Sequence, residues 1–178
     1  MLASADGTTE TPGTTQNIFV HDSCTGVASG CTASTALVSA GFGGATPNGD
    51  SILPAISSNS TGFTADAGAD GRYVVFLSSA TNLISGGTTG GIVNAFVRDT
   101  CARVSSGCTP STQLVSVSTG GAHANASTTS ATIDASGRYI TFESSATNLG
   151  GSANSSLYLR DTCAGISSGC TPSTQPLN

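Results

Sequence analysis

The sequence predicts an all-β chain built from tandem four-stranded antiparallel units, about two and a half of them in 178 residues. Three observations carry this. The segment Arg98-Asp99-Thr100-Cys101 … Gly107-Cys108-Thr109-Pro110-Ser111-Thr112-Gln113 returns as Arg160-Asp161-Thr162-Cys163 … Gly169-Cys170-Thr171-Pro172-Ser173-Thr174-Gln175, and a weaker copy runs from His21-Asp22-Ser23-Cys24 to Gly30-Cys31. A second block, Gly71-Arg72-Tyr73-Val74-Val75-Phe76 … Ala80-Thr81-Asn82-Leu83, returns in the same order as Gly137-Arg138-Tyr139-Ile140-Thr141-Phe142 … Ala146-Thr147-Asn148-Leu149. No window places apolar residues at helical spacing between helix caps. Fixed-order self-similarity of this kind marks a repeat architecture.

Two strands are expected before Ser51, at residues 17–20 and 35–39. The complete unit follows. Residues 51–57 read as a short apolar strand, and residues 72–78 as the strongest one, rich in Tyr, Val and Phe between Asp70-Gly71 and a Ser pair. Residues 94–98 and 113–117 make the third and fourth. In the next unit the strands are 128–133, 138–143, 157–160 and a few residues after Thr174. The units divide the chain at 1–45 (the last two strands of a partial unit), 46–118 (complete) and 119–178 (complete or nearly so). Ala-Thr-Asn-Leu forms the turn after each second strand: Asn82 and Asn148 are expected to bond their own backbone, while Leu83 and Leu149 anchor the turn in the interior.

The order of these blocks resembles the WD40-like β-propeller repeats of the TolB-like kind. Pro54-Ala55-Ile56-Ser57, Asp70-Gly71-Arg72-Tyr73-Val74-Val75-Phe76 and Phe96-Val97-Arg98-Asp99 match that pattern. Ser58 to Ala69 is an insertion, Ala131-Thr132-Ile133-Asp134 lacks the proline, and the cysteines are a departure. The resemblance implies propeller-type blades. Met1-Leu2 aligns with Asn82-Leu83, so the chain is expected to start halfway through a blade. Closed propellers need about four to eight blades. Two and a half would be completed by further blades or by neighbouring copies, and a head-to-tail contact that does not close is open-ended.

Charged residues make up only 8% of the chain, the net charge is −5, and the five cations are all arginines. With no basic patch, nucleic acid is not an expected partner. No apolar run approaches the roughly 20 residues of a membrane helix. Met1 to Asp6 has neither the basic nor the apolar region of an export signal, so any signal would lie upstream or be removed.

Six cysteines form three Cys-x6-Cys pairs, Cys24/Cys31, Cys101/Cys108 and Cys163/Cys170. Six allow 15 pairings, and repetition favours the local ones. The alternative of zinc would need shorter spacings and four gathered ligands, with only His21 and His123 to help. Disulfides imply an oxidising setting, extracellular, cell-surface or periplasmic. Three sequons, at Asn59, Asn125 and Asn154, make a glycoprotein with covalent glycans a candidate.

No catalytic residue, metal ligand or cofactor is expected. His21 stands where Arg98 and Arg160 stand, as a solvent-side residue at a strand end, and His123 lies in a Gly/Ala/Asn loop. Asp22, Asp99 and Asp161 recur after the third strand, where a short carboxylate accepts backbone N–H groups of the next turn. Arg72 and Arg138 are expected to bond loop carbonyls or an acid of a neighbouring unit, their stems covering Tyr73 and Tyr139. Asp66 and Asp70 share a loop without calcium-loop spacing, and Glu143, opposite Leu77 in the repeat, is the one strand glutamate. The expected function is therefore non-catalytic: an extracellular structural or adhesive repeat that self-associates by blade stacking, as a homo-oligomer or fibre. The alternatives are a fragment of a closed propeller that binds a protein or glycan, and an accessory propeller of a secreted hydrolase.

Overall fold

The computed structural model describes residues 2–5, 15–24, 30–58, 71–102, 104, 106–151 and 156–177. Among them are eleven strands, one 3-10 turn at Phe42–Gly44 and no α-helix. Sheet I contains β1 (Leu2–Ala5), β2 (Ile18–Asp22) and β3 (Ser34–Leu37). Sheet II contains β4 (Ser51–Ile56), β5 (Tyr73–Ser78), β6 (Asn94–Asp99) and β7 (Ser111–Leu114). Sheet III contains β8 (Thr128–Ile133), β9 (Tyr139–Ser144), β10 (Leu157–Asp161) and β11 (Ser173–Pro176). Neighbours in sequence are neighbours in the sheet, every pair antiparallel, so each sheet is a meander.

Register shows the repeat in three dimensions. Tyr73 lies opposite Asp99 and Phe76 opposite Phe96, as Tyr139 lies opposite Asp161 and Phe142 opposite Tyr158. The cross-strand aromatic pairs stack alike, with centroids 5.9 Å apart for Phe76/Phe96 and 5.4 Å for Phe142/Tyr158. Such pairs add to what area burial alone contributes.

Sheet II is buried on both faces because β5 is apolar at every position up to Leu77, and alternate residues point to opposite sides. Val74, Phe76 and Phe96 pack with Ile18 and Val20 of sheet I and with Val38, the residue after β3. Tyr73, Val75, Leu77, Ala95 and Val97 pack with Ile140, Phe142 and Tyr158 of sheet III. Leu83 and Leu149, each 1% exposed, plug the two layers from the turns, as their sequence context predicts. The same relation therefore operates twice: sheet III lies on sheet II as sheet II lies on sheet I, with β5 against β8 as β1 is against β4.

Two sequence expectations are corrected. A strand, β1, precedes the two foreseen ones. Leu2–Ala5 pairs with β2 as β5 pairs with β6, which puts Leu2 in the register of Val74 rather than of Leu83. Pairing there satisfies the backbone edge that β2 would otherwise expose. The fourth strands also sit earlier than predicted, at Ser34–Leu37 and Ser111–Leu114. The cause is a serine. The Ser39 hydroxyl accepts the Ile18 N–H at 3.1 Å and donates to Asn17 Oδ1 at 3.0 Å. Ser116 does the same with Ala95 N–H (3.1 Å) and Asn94 Oδ1 (3.0 Å). A side chain takes the ladder position, and the backbone N–H groups of residues 38 and 39, like those of 115 and 116, share one carbonyl.

Candidate functional site

The residues that recur most strictly gather at one end of each sheet, around the loop that joins the third and fourth strands. In all three units the two cysteines of that loop are joined in a disulfide, Cys24–Cys31, Cys101–Cys108 and Cys163–Cys170, with Cα atoms 5.7, 5.7 and 5.8 Å apart. The first cysteine of each adopts a left-handed backbone, φ 58°, 58° and 60°. That conformation is unfavourable for a side chain with a Cβ. It is held by the aspartate two residues earlier. Asp22, Asp99 and Asp161 each accept the N–H of their cysteine through Oδ1 at 2.9 Å. A left-handed glycine, Gly30, Gly107 or Gly169, returns the chain to the second cysteine.

Arginine completes the cluster in sheets II and III. Arg72 Nε and an Nη donate to the two oxygens of Asp99 at 2.8 and 2.7 Å. Arg138 holds Asp161 in the same fork at 2.8 and 2.6 Å. The acid is one of the arginine's own sheet, not of a neighbouring unit as the sequence suggested. Each guanidinium also lies over the tyrosine beside it, 4.9 Å from the Tyr73 centroid and 4.8 Å from that of Tyr139. The hydrogen bond from Arg138 holds the Asp161 carboxyl below its ordinary range, and the one that Arg72 donates to Asp99 raises the Arg72 guanidinium above its own. Burial pushes the Tyr73 phenol up. Both ion pairs are partly open to water, so solvent screening keeps their contribution small.

Another cross-strand bond recurs three times. Arg98 donates to the Thr112 hydroxyl at 3.0 Å and Arg160 to that of Thr174 at 3.1 Å. His21 Nδ1 meets the Thr35 hydroxyl at 2.8 Å in the same register. His123 stands apart from this bond, and its backbone carbonyl accepts from Asn148.

At the opposite end of the sheets lies a clasp that sequence reasoning missed. Asn48 donates to the Thr81 hydroxyl (2.8 Å) and accepts the Thr81 N–H (2.8 Å), while Asn82 accepts the Asn48 N–H (3.1 Å) and donates to the Thr46 carbonyl (2.8 Å). Asn125 and Asn148 repeat every bond with Thr147 and His123. Asn82 and Asn148 thus tie two loops together rather than bonding their own backbone. Asn125, a sequon residue, is exposed, with its amide engaged in this clasp. Asn59 and Asn154 lie outside the described residues, as do Asp66 and Asp70.

Chemically, these groups are consumed by structure. Asp22, Cys24 and Cys31, and the two equivalent trios, bring ligand atoms within 4.8 Å of one another. Their sulfurs are bonded to each other, which leaves no thiolate for a metal. Glu143 is exposed on the outer face of β9. No helix among the described residues is long and apolar enough to cross a membrane. No protein-family model matches the chain, and no curated protein or solved structure matches it.

Proposed function

We propose that this chain is an exported, non-catalytic structural or adhesive repeat protein, whose sheets are propeller-type blades and whose work is association through blade-on-blade stacking. A fibre subunit is the sharpest form of the proposal. One observation supports it above the rest: a single packing rule joins sheet I to II and sheet II to III. A rule of that kind has no built-in end, so neighbours of the same design extend it. The recurrent Asp, Arg, Cys and Asn residues spend their bonding capacity on the loops, which suits a scaffold rather than a reaction centre. The disulfides fit an oxidising environment, which in this reading lies outside the cell or in a periplasm, and glycans at Asn59, Asn125 and Asn154 belong to it.

A second reading is favoured by one surface. On β8 and β9 the outer face of sheet III has Ser130, Thr132, Thr141 and Glu143 where sheet II has Ile52, Ala55, Val75 and Leu77, while Tyr139, Leu157 and Leu159 keep the rest of that face apolar. Polar residues over two of its strands suit a stack that stops. The chain would then be a discrete module, part of a closed propeller that binds a protein or glycan, or an accessory of a secreted hydrolase.

Light scattering of the non-reduced protein across a hundredfold range of concentration tests the two. A mass that climbs with concentration supports stacking. One fixed mass throughout rejects the fibre and leaves the discrete module.

A further inference from the structure

Asn48 is the one asparagine of the chain that precedes a glycine. It is exposed, in the loop that leads into β4. An asparagine carboxamide is open to attack at Cγ by the backbone nitrogen of the next residue, and a glycine there has no Cβ to obstruct the approach. Packing imposes this glycine. A Cβ at position 49 would stand 2.6 Å from Ala80 N and 2.8 Å from Ala80 Cα, backbone atoms of the turn after β5. The φ of Gly49 is not positive, so close approach alone excludes a side chain.

The clasp holds the reactive carboxamide away from that nitrogen. Asn48 Oδ1 accepts the Thr81 N–H at 2.8 Å, and Nδ2 donates to the Thr81 hydroxyl at 2.8 Å. With both ends of the amide fixed on another loop, Cγ swings to the Gly49 nitrogen only after both bonds break. Asn82 closes the other half of the clasp, through the Asn48 N–H and the Thr46 carbonyl. Asn125 is an internal comparison. It makes the same two bonds, each 2.9 Å, to Thr147, but Ala126 follows it.

We propose that Asn48 is a site of succinimide formation and isoaspartate conversion, gated by the clasp. The Gly49 nitrogen bonds to Cγ and gives up its proton, while the Cγ–Nδ2 bond breaks and ammonia leaves. Water then opens the imide ring at one of its two carbonyls, giving aspartate or isoaspartate. The sum is amide plus water to carboxylic acid plus ammonia, with no change of oxidation state. Aspartate keeps an acceptor for the Thr81 N–H. Isoaspartate moves a methylene from the side chain into the main chain, so it cannot reach Thr81 as Asn48 does. Conversion therefore unties the loop entering β4 from the turn at residues 80–83. The reaction is independent of blade stacking, so failure of either proposal leaves the other standing.

The test is incubation of the oxidised chain at mildly alkaline pH, followed by peptide mapping and by isoaspartyl methyltransferase labelling. The expected result is conversion at Asn48, with Asn125 intact in the same sample and a lower melting temperature for the converted chain. Asn82→Ala should speed conversion about tenfold, because opening of the clasp limits the rate. Sub-denaturing urea, which needs no substitution, should raise the rate before global unfolding begins. Equal conversion at Asn48 and Asn125 overturns the proposal. So does a rate at Asn48 that is the same in the native, Asn82→Ala and urea-unfolded chains, since the clasp then gates nothing. Absence of conversion even in the unfolded chain overturns it as well.

Discussion

A Cβ added to Gly137 would stand 2.1 Å from Cδ2 of Tyr73, so the turn entering β9 crosses sheet II with its backbone against the tyrosine ring. Gly137 also has φ +77°. Gly137→Ala should therefore cost about 2–4 kcal/mol, overpacking added to a left-handed backbone. Gly150→Ala is the control: φ is +94° and nothing lies within 4 Å, so only about 1 kcal/mol is at stake. Urea unfolding of both variants measures the difference, and equal losses would show that the Tyr73 contact contributes nothing.

The three bridges close short loops, for which chain entropy gives roughly 2.5 kcal/mol each. Reduction should lower the melting temperature while the β signal in circular dichroism persists below the new transition. Six free thiols by intact mass in the native, unreduced protein would remove the basis of this expectation.

Acid should destabilise the protein through Asp161. Its carboxyl is held low in the folded state, so its contribution is complete above the ordinary carboxylate range near 4 and is lost as pH falls through the lowered value. Asp161→Asn, which keeps an acceptor for the Cys163 N–H, should flatten the melting temperature between about pH 5 and pH 2. Tyr73 acts at the other end. Burial raises its pKa, so its contribution is complete below about 10 and is lost as pH rises through the raised value. Tyr73→Phe should soften the alkaline loss.

The asparagine clasp should behave as a unit. Asn48→Ala and Asn82→Ala are each expected to cost about 1–2 kcal/mol, and the double variant less than their sum. Strict additivity in a double-mutant cycle would mean that the two loops are held by something else.

Strand identity was legible wherever one face or both faces of a strand are apolar. Residues 73–78 read as a buried strand because Val74 and Phe76 serve one layer and Val75 and Leu77 the other. Periodicity failed where a hydroxyl replaces the ladder: Ser39 and Ser116 end their strands early, while Val38 and Val115 remain fully buried and so still look like strand. The recurrence of Arg72, Arg138, Asp99 and Asp161 could be read, but their pairing could not, since each member lies in a different block. Asn48 and Asn125 could have been found. Each stands three residues before the first residue of β4 or β8, and that recurrence was the available signal. The short strand Leu2–Ala5 has little pattern of its own and depends on its partner β2.

The repeated packing has a genetic consequence. Sheet II presents to sheet III the positions that sheet I presents to sheet II. Duplicating the central sheet would therefore bring together surfaces that already fit, whereas crossover between the near-identical stretches at 99–113 and 161–175 would add a copy of sheet III and carry Ser130, Thr132, Thr141 and Glu143 into the new interface. Lengthening the array from that end would require those four positions to become apolar, as Ile52, Ala55, Val75 and Leu77 are in sheet II.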